Sequence, residues 1–216
     1  VSGPRIAVVD YGAGNLVSIE QALTTVGARV SVVRDATGLD GADGLVVPGV
    51  GAAAPAMERL EGAGLVEPIL AWIAAGRPFL GICLGLQLLF EGSDEDGATT
   101  LGVLPGRTRR LVDAPTLPHI GWNQVERRRE HPLFDGIAPA ADFYFVHSFA
   151  GVVASEASAT VVAETTHGRP FTSAIARDNV LGVQFHPERS GDDGLRLLAN
   201  VVALVRAHAN GVAVPA

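Results

Sequence analysis

The sequence predicts an α/β fold: a mostly parallel central sheet flanked by helices, with an antiparallel or mixed strand extension. Short apolar runs alternate with helical patterns through the first part of the chain. From about residue 101 to 185 the pattern changes to short strands and turns, and 191–208 returns to helical spacing. Alternating strands and helices bury both faces of a parallel sheet, whereas successive short strands pair with their neighbours.

The elements follow in order. "RIAVVD" (5–10) reads as a buried strand because its apolar residues are contiguous. "NLVSIEQALTTVG" (15–27) places Leu16, Ile19, Leu23 and Val26 on one helical face, and Gly27 suits the helix end. "ARVSVV" and "GLVVPG" read as two further buried strands. A helix around 64–75 leads to the strand "PFLGI", and a second helix starts at Leu84. The extension comprises "GVLPGRTRRLV", "GWNQVE", "DFYFVHSFA", "ATVVAET", "FTSAIAR" and "VLGVQF". In the last helix Leu195, Leu198, Val202 and Val205 recur at helical spacing and pack back on the sheet. No internal repeat or long linker divides the chain, so a single domain over 1–216 is expected, with a frayed tail "NGVAVPA".

Composition narrows the chemistry. With 48% hydrophobic and 18% charged residues, the chain is a compact globule rather than a disordered one. Gly, Pro or charge interrupts every apolar run before membrane-spanning length, and "VSGPRIAVVDYG" lacks the pattern of a signal peptide. One cysteine cannot form an internal disulfide, so a cytoplasmic location is expected. The net charge is −7 and Arg127–Arg129 read as a solvated face, which argues against a nucleic-acid partner. All 16 basic residues are arginine. Without lysine there is no P-loop cation and no Schiff-base chemistry. "GAGN" (12–15) is not a dinucleotide loop, because Val17 stands where the third glycine is needed. No cofactor is expected, and one cysteine with scattered histidines offers no metal-ligand pair.

The sole thiol, Cys83, lies in "PFLGICLGLQLLF", between Gly81 and Gly85. A strand ending at Ile82 and a helix starting at Leu84 put it on a tight elbow. The helix N-terminus favours thiolate, and the Leu84 N–H points toward a developing oxyanion. The competing reading is an inert, buried thiol. His186 in "VLGVQFHPERS" follows a buried strand, at the sheet edge where ligands bind. In an extended tripeptide Glu188 falls on the same side and orients the imidazole. The alternative is a surface His–Pro turn. "VVPGVGA" (46–52) is a further strand end, and Gly49-Val50-Gly51 allows a peptide N–H to turn inward. The alternative is an ordinary glycine turn before a helix.

"PGVG", "GICLGLQLLF" and "QFHPE" resemble the class I, triad-type glutamine amidotransferases. "DYGAGN", "LPHIGWNQV", "FYFVHSF" and "HPERS" narrow the resemblance to the glutaminase subunits of imidazole glycerol phosphate synthase, over roughly residues 5 to 205. "PHIGWN" argues against the amidotransferases of chorismate, pyridoxal phosphate or GMP metabolism. The resemblance implies a catalytic triad of Cys83, His186 and Glu188, with Leu84 and Val50 or Gly51 as oxyanion donors. Gly49, Gln87, Glu95, Ser148 and Phe149 would contact glutamine, the last two through backbone. Gln87 is otherwise a helix-surface residue, and Glu95 otherwise part of the acidic loop "EGSDED". The implied partner is a (β/α)8-barrel cyclase subunit that uses the ammonia to make imidazole glycerol phosphate and an aminoimidazole carboxamide ribotide. Asn15, His119, Trp122, Asn123, Tyr144 and Arg189 would form the contact surface, with Trp122 alternatively in the core. Low activity is expected of the isolated chain, because the oxyanion peptide would need the partner to turn it. Two departures stand out. Arg189 replaces the family's lysine, turning a point charge into a planar fork. Ala53 replaces the usual aromatic after "PGVGA".

Overall fold

The computed structural model describes residues 3–213. The first half contains β1 (Arg5–Val9), α1 (Leu16–Thr25), β2 (Arg29–Val33), β3 (Gly44–Gly49), α2 (Ala53–Gly62), α3 (Val66–Ala74), β4 (Phe79–Cys83) and α4 (Leu84–Gln87). The second half contains β5 (Gly106–Arg110), β6 (His119–Arg127), β7 (Ala141–His147), β8 (Phe149–Val153), β9 (Val161–His167), β10 (Arg169–Arg177), β11 (Val180–Val183) and α5 (Gly191–Ala209). Among the described residues no helix is long and apolar enough to cross a membrane.

One nine-stranded sheet runs in the order β2-β1-β3-β4-β11-β10-β9-β6-β7. Neighbours from β2 to β11 are parallel, and neighbours from β11 to β7 are antiparallel. A β5–β8 ribbon stands beside it. The strand "VLGVQF" is thus the seam between the two regions, next to the cysteine strand.

The pleat divides the core. Ile6 and Val8 of β1 pack with Ile19 and Leu23 of α1 and with Leu198, Val202 and Val205 of α5. Ala7 and Val9 face the other way, toward Leu60 of α2 and Ile69 and Trp72 of α3. Side chains alternating at a period of two on the strands meet helical stripes on both faces.

Several expectations need correction. β2 is not a buried strand: it is the sheet edge, and only Val33 is buried along it. α2 is the helix that the alternative reading of the 49–51 turn places after it, and "AAPAMERLEG" carries little apolar bulk and a proline. Pro55 falls in the first turn, where its missing N–H has no partner to lose. The helix begun at Leu84 lasts a single turn. Beyond it Leu88, Leu89 and Phe90 are wholly buried. After α5, Asn210 and Gly211 form a turn and Val212 and Ala213 have no regular structure, while the rest of the tail lies outside the described residues.

Candidate active site

The elbow after β4 is built by its glycines. Cys83 takes φ 54° and ψ −107°, in the left-handed half of backbone space that side chains avoid. A Cβ on Gly85 would lie 1.8 Å from the Val47 carbonyl oxygen, and one on Gly81 would lie 2.6 Å from the Gly85 oxygen. Only glycine lets the chain fold back this tightly. The strain is held by neighbours on both sides: Cys83 is opposite Gly49 on β3, and Ile82 is opposite Val183 on β11. The thiol is buried, at 5% exposure.

That register carries the chain from β11 past the sulfur. His186 is buried, and its backbone N–H donates to Tyr144 O at 2.9 Å. Ser190 Oγ donates to His186 O at 2.6 Å and accepts the Tyr144 N–H at 3.0 Å, tying the loop to β7. His186 Nδ1 donates to Glu188 Oε1 at 2.9 Å. The imidazole's Nε2 is buried without a hydrogen-bond partner of its own. Burial by itself would lower the pKa of His186. The neighbouring Cys83 foremost, followed by the hydrogen bond and charge of Glu188, overrides this and raises it to about 10. Sulfur, imidazole and carboxylate therefore interact in sequence. The Glu188 side chain is 1% exposed, so the imidazolium is what compensates its charge.

The cysteine opens on a cleft of about 310 Å³. Val50, Gly51, Leu84, Gln87, Glu95, Ser148 and Phe149 line it together with Cys83. Gly49 lies behind this wall, and a Cβ there would sit 2.0 Å from the Tyr11 hydroxyl. Val50 is half exposed and Gly51 has φ 96°, so the strand ends where the peptide faces the cleft. Gln87 is buried, not a helix-surface residue: its Nε2 donates to Phe149 O at 2.8 Å and to Gln184 Oε1 at 3.0 Å. Both amide hydrogens are used, and Oε1 is the atom it offers to the cleft. Glu95 has its pKa raised by burial and then by Asp96.

The proposed contact residues fall into two groups. Trp122 is on the surface, at 57% exposure, with its ring edge-on to Tyr144 at 6.3 Å. The Arg189 guanidinium lies 4.1 Å over the Tyr144 ring. Asn15 is exposed and caps α1, its side chain accepting from Ser18 N at 3.4 Å. His119, in contrast, is not a surface residue: it is 4% exposed. Along β6 the pleat turns His119 and Asn123 inward while Ile120 and Trp122 point out. Ile120, at 60% exposure, belongs to the surface that the sequence reading assigned without it.

Two polar residues near the sulfur were missed. Gln184 is wholly buried and donates from Nε2 to Cys83 Sγ at 3.5 Å. His147 is buried and donates from Nδ1 to Phe149 O at 2.9 Å. The available signal was an amide ending an otherwise apolar strand, since a buried polar group needs a partner.

Comparison with known proteins agrees with this geometry. The family model for class-I glutamine amidotransferases matches residues 7–204. The imidazole glycerol phosphate synthase subunit HisH of Symbiobacterium thermophilum is 50% identical over 197 residues, covering 91% of this chain and 92% of that protein. The subunit of the same name from Chloroflexus aurantiacus is 49% identical over 202 residues, covering 91% and 94%. Among solved structures, PurLQS from Thermotoga maritima superposes with a TM-score of 0.72 at 20% identity, covering 93% of this chain and 98% of that one. A crystal structure of a glutamine amidotransferase gives 0.71 at 19% identity, covering 91% and 98%. The structures share the fold, and the close relatives narrow it further: the chain belongs to the class-I glutamine amidotransferases, in the family of the HisH subunits of imidazole glycerol phosphate synthase.

Proposed function

We propose that the chain hydrolyses L-glutamine to glutamate and ammonia through a cysteine thioester, as the glutaminase subunit of imidazole glycerol phosphate synthase. One observation carries this: Cys83, on a strained elbow at the cleft, interacts with an imidazole whose far nitrogen is held 2.9 Å from a buried carboxylate.

The chemistry follows from where the protons reside. With its pKa raised to about 10, His186 is basic enough to hold the proton that Cys83 gives up as it attacks. The sulfur attacks the side-chain amide carbon of glutamine, and the negative charge moves to the amide oxygen. Backbone N–H groups of Leu84 and of Val50 or Gly51 receive it. As the sulfur loses its charge, the largest effect raising the His186 pKa disappears. The imidazolium then becomes acidic enough to protonate the departing ammonia. Collapse leaves a γ-glutamyl thioester and neutral His186. The imidazole next takes a proton from water, hydroxide attacks the thioester, and glutamate leaves as the thiolate is restored. Glu188 holds Nδ1–H throughout, so Nε2 handles the moving proton.

Ammonia released into water becomes ammonium and loses its nucleophilicity. A protected route to an acceptor enzyme follows, and a (β/α)8-barrel cyclase subunit is the proposed recipient. Trp122, Tyr144 and Arg189, an aromatic and cationic group on the exposed side of β6 and β7, would contact it with Asn15 and Ile120. Mixing the chain with that barrel and following glutamate release tests both proposals. Release from wild type and none from Cys83→Ala is expected. Undiminished release from Cys83→Ala would overturn the triad.

A further inference from the structure

A hydrogen-bond chain, buried except at its Asn123 end, joins the sulfur to the β6 face. Its polarity is fixed at two carbonyls that only accept, Thr166 O at the far end and Phe149 O between its two arms. Asn123 Nδ2 donates to Thr166 O at 3.0 Å, so the same amide nitrogen donates to His119 Nε2 at 3.1 Å. His119 Nδ1 must then carry its proton, which it gives to His147 Nε2 at 3.1 Å. His147 Nδ1 donates onward to Phe149 O at 2.9 Å. From the other side Gln87 Nε2 donates to the same oxygen at 2.8 Å and to Gln184 Oε1 at 3.0 Å. With Oε1 turned to Gln87, the Gln184 amide nitrogen is the group left facing Cys83 Sγ, at 3.5 Å. No amide in the chain can be rotated without opposing two acceptors or two donors.

The histidines are part of this wiring. Among the described residues no cluster of three or more His, Cys, Asp or Glu side chains could hold a metal. Both are neutral, as the wiring requires. Burial first, then the neighbouring histidine His167, lowers His119 to about 4. Burial foremost lowers His147 to about 3, against the raising effect of the Phe149 hydrogen bond.

We propose that Gln184 is a further catalytic residue of this site, donating its amide N–H to the Cys83 sulfur, and that Gln87, His147, His119 and Asn123 are positioning residues that keep this amide in its donating orientation. The role deepens the glutaminase reading and rests on it for the turnover measurements alone. The triad approaches the sulfur only through His186. A second donor, one residue past β11, aims the sulfur at the cleft and meets the charge it carries as it reacts. His186, after β11, and Tyr11, after β1, are electrostatically coupled to the sulfur. Gln184 adds a donor that carries no charge of its own.

The test uses iodoacetamide, an electrophile that needs no glutamine site, on the full chain at pH 7, and glutamate release in complex with the barrel. Gln184→Met preserves length and removes the donor. Alkylation of Cys83 and kcat are expected to fall at least about tenfold, as for loss of a hydrogen bond to a charged group, with KM within about twofold. His147→Phe breaks the chain and is expected to slow alkylation about threefold, whereas His147→Asn, whose amide keeps a donor toward Phe149 O, restores it. Wild-type alkylation and kcat in folded Gln184→Met would overturn the proposal. If Gln184→Met does not fold, equal alkylation rates in His147→Phe and His147→Asn would overturn it. If wild type alkylates but releases no glutamate with the barrel, the glutaminase reading fails, while the alkylation series still decides the role of Gln184.

Discussion

Glu188 Oε1 lies 2.9 Å from His186 Nδ1, and the two residues meet across the start of a short turn. His186 is the last extended residue (φ −102°, ψ 93°), and Pro187–Arg189 form one turn of 3-10 helix. The turn brings the carboxylate back beneath the imidazole and buries it. The acid therefore depends on the base for its charge compensation, and the base depends on the acid for its tautomer.

Glu188→Gln is expected to reduce kcat for glutamate release by up to about 10⁴-fold, because an amide can hold the imidazole in the wrong tautomer. KM should change little, since the side chain is buried away from the cleft. Steady-state kinetics of the complex checks this, and a large KM increase at unchanged kcat would contradict it.

Stability should be greatest near pH 6.5 as far as the buried histidines decide it. His186, raised to about 10, contributes stability that is full below about 6.5 and lost as pH rises through about 10. His119 and His147, lowered to about 4 and about 3, contribute stability present above about 6.5 and lost as pH falls through those values. Urea midpoints between pH 4 and 10 measure both limbs. Cys83→Ala should flatten the alkaline limb, because it removes the largest raising influence on His186. An unchanged alkaline limb would show that another group controls it.

Gly85→Ala should destabilise the fold by about 1–3 kcal/mol and cripple activity together. The new methyl would meet the Val47 carbonyl at 1.8 Å, so β3 and the elbow cannot both stay in place. Thermal melts alongside glutamate release test it. A variant with wild-type melting would mean that the elbow tolerates opening.

Trp122→Ala is expected to leave the chain's own stability nearly unchanged, because the ring is more than half exposed. If the Trp122–Tyr144–Arg189 group seats the barrel, affinity for it should fall about 30-fold or more, as for an aromatic hot spot. Calorimetric titration of one subunit into the other reads this directly, and equal affinity would place the interface elsewhere.

Much of the site was legible because its parts are local. The G-x-C-x-G elbow and the H-P-E turn each combine a strand end with a backbone constraint, and such constraints leave specific residue types at fixed spacing. The glycine need at 81 and 85 could be read that way, and so could the apolar strands at 44–49 and 79–82. What could not be read was which strand lies at an edge. β2 has the composition of an interior strand, and only its place in the sheet order leaves it exposed. His119 looked like a surface residue beside Trp122, yet the pleat sends the two to opposite sides.

The sequence by itself determined the alternation of strands and helices, the position of the lone thiol on its elbow, and the His–Pro–Glu turn. Each of these depends on neighbours within a few residues. Only the tertiary structure decided that Gln184 lies against the sulfur, that Gln87 donates to Gln184 and that His119 and His147 meet. Those partners are 28 to 101 residues apart along the chain. Which of their atoms donate is set by carbonyls on other strands, a constraint that exists only once the sheet has closed around them.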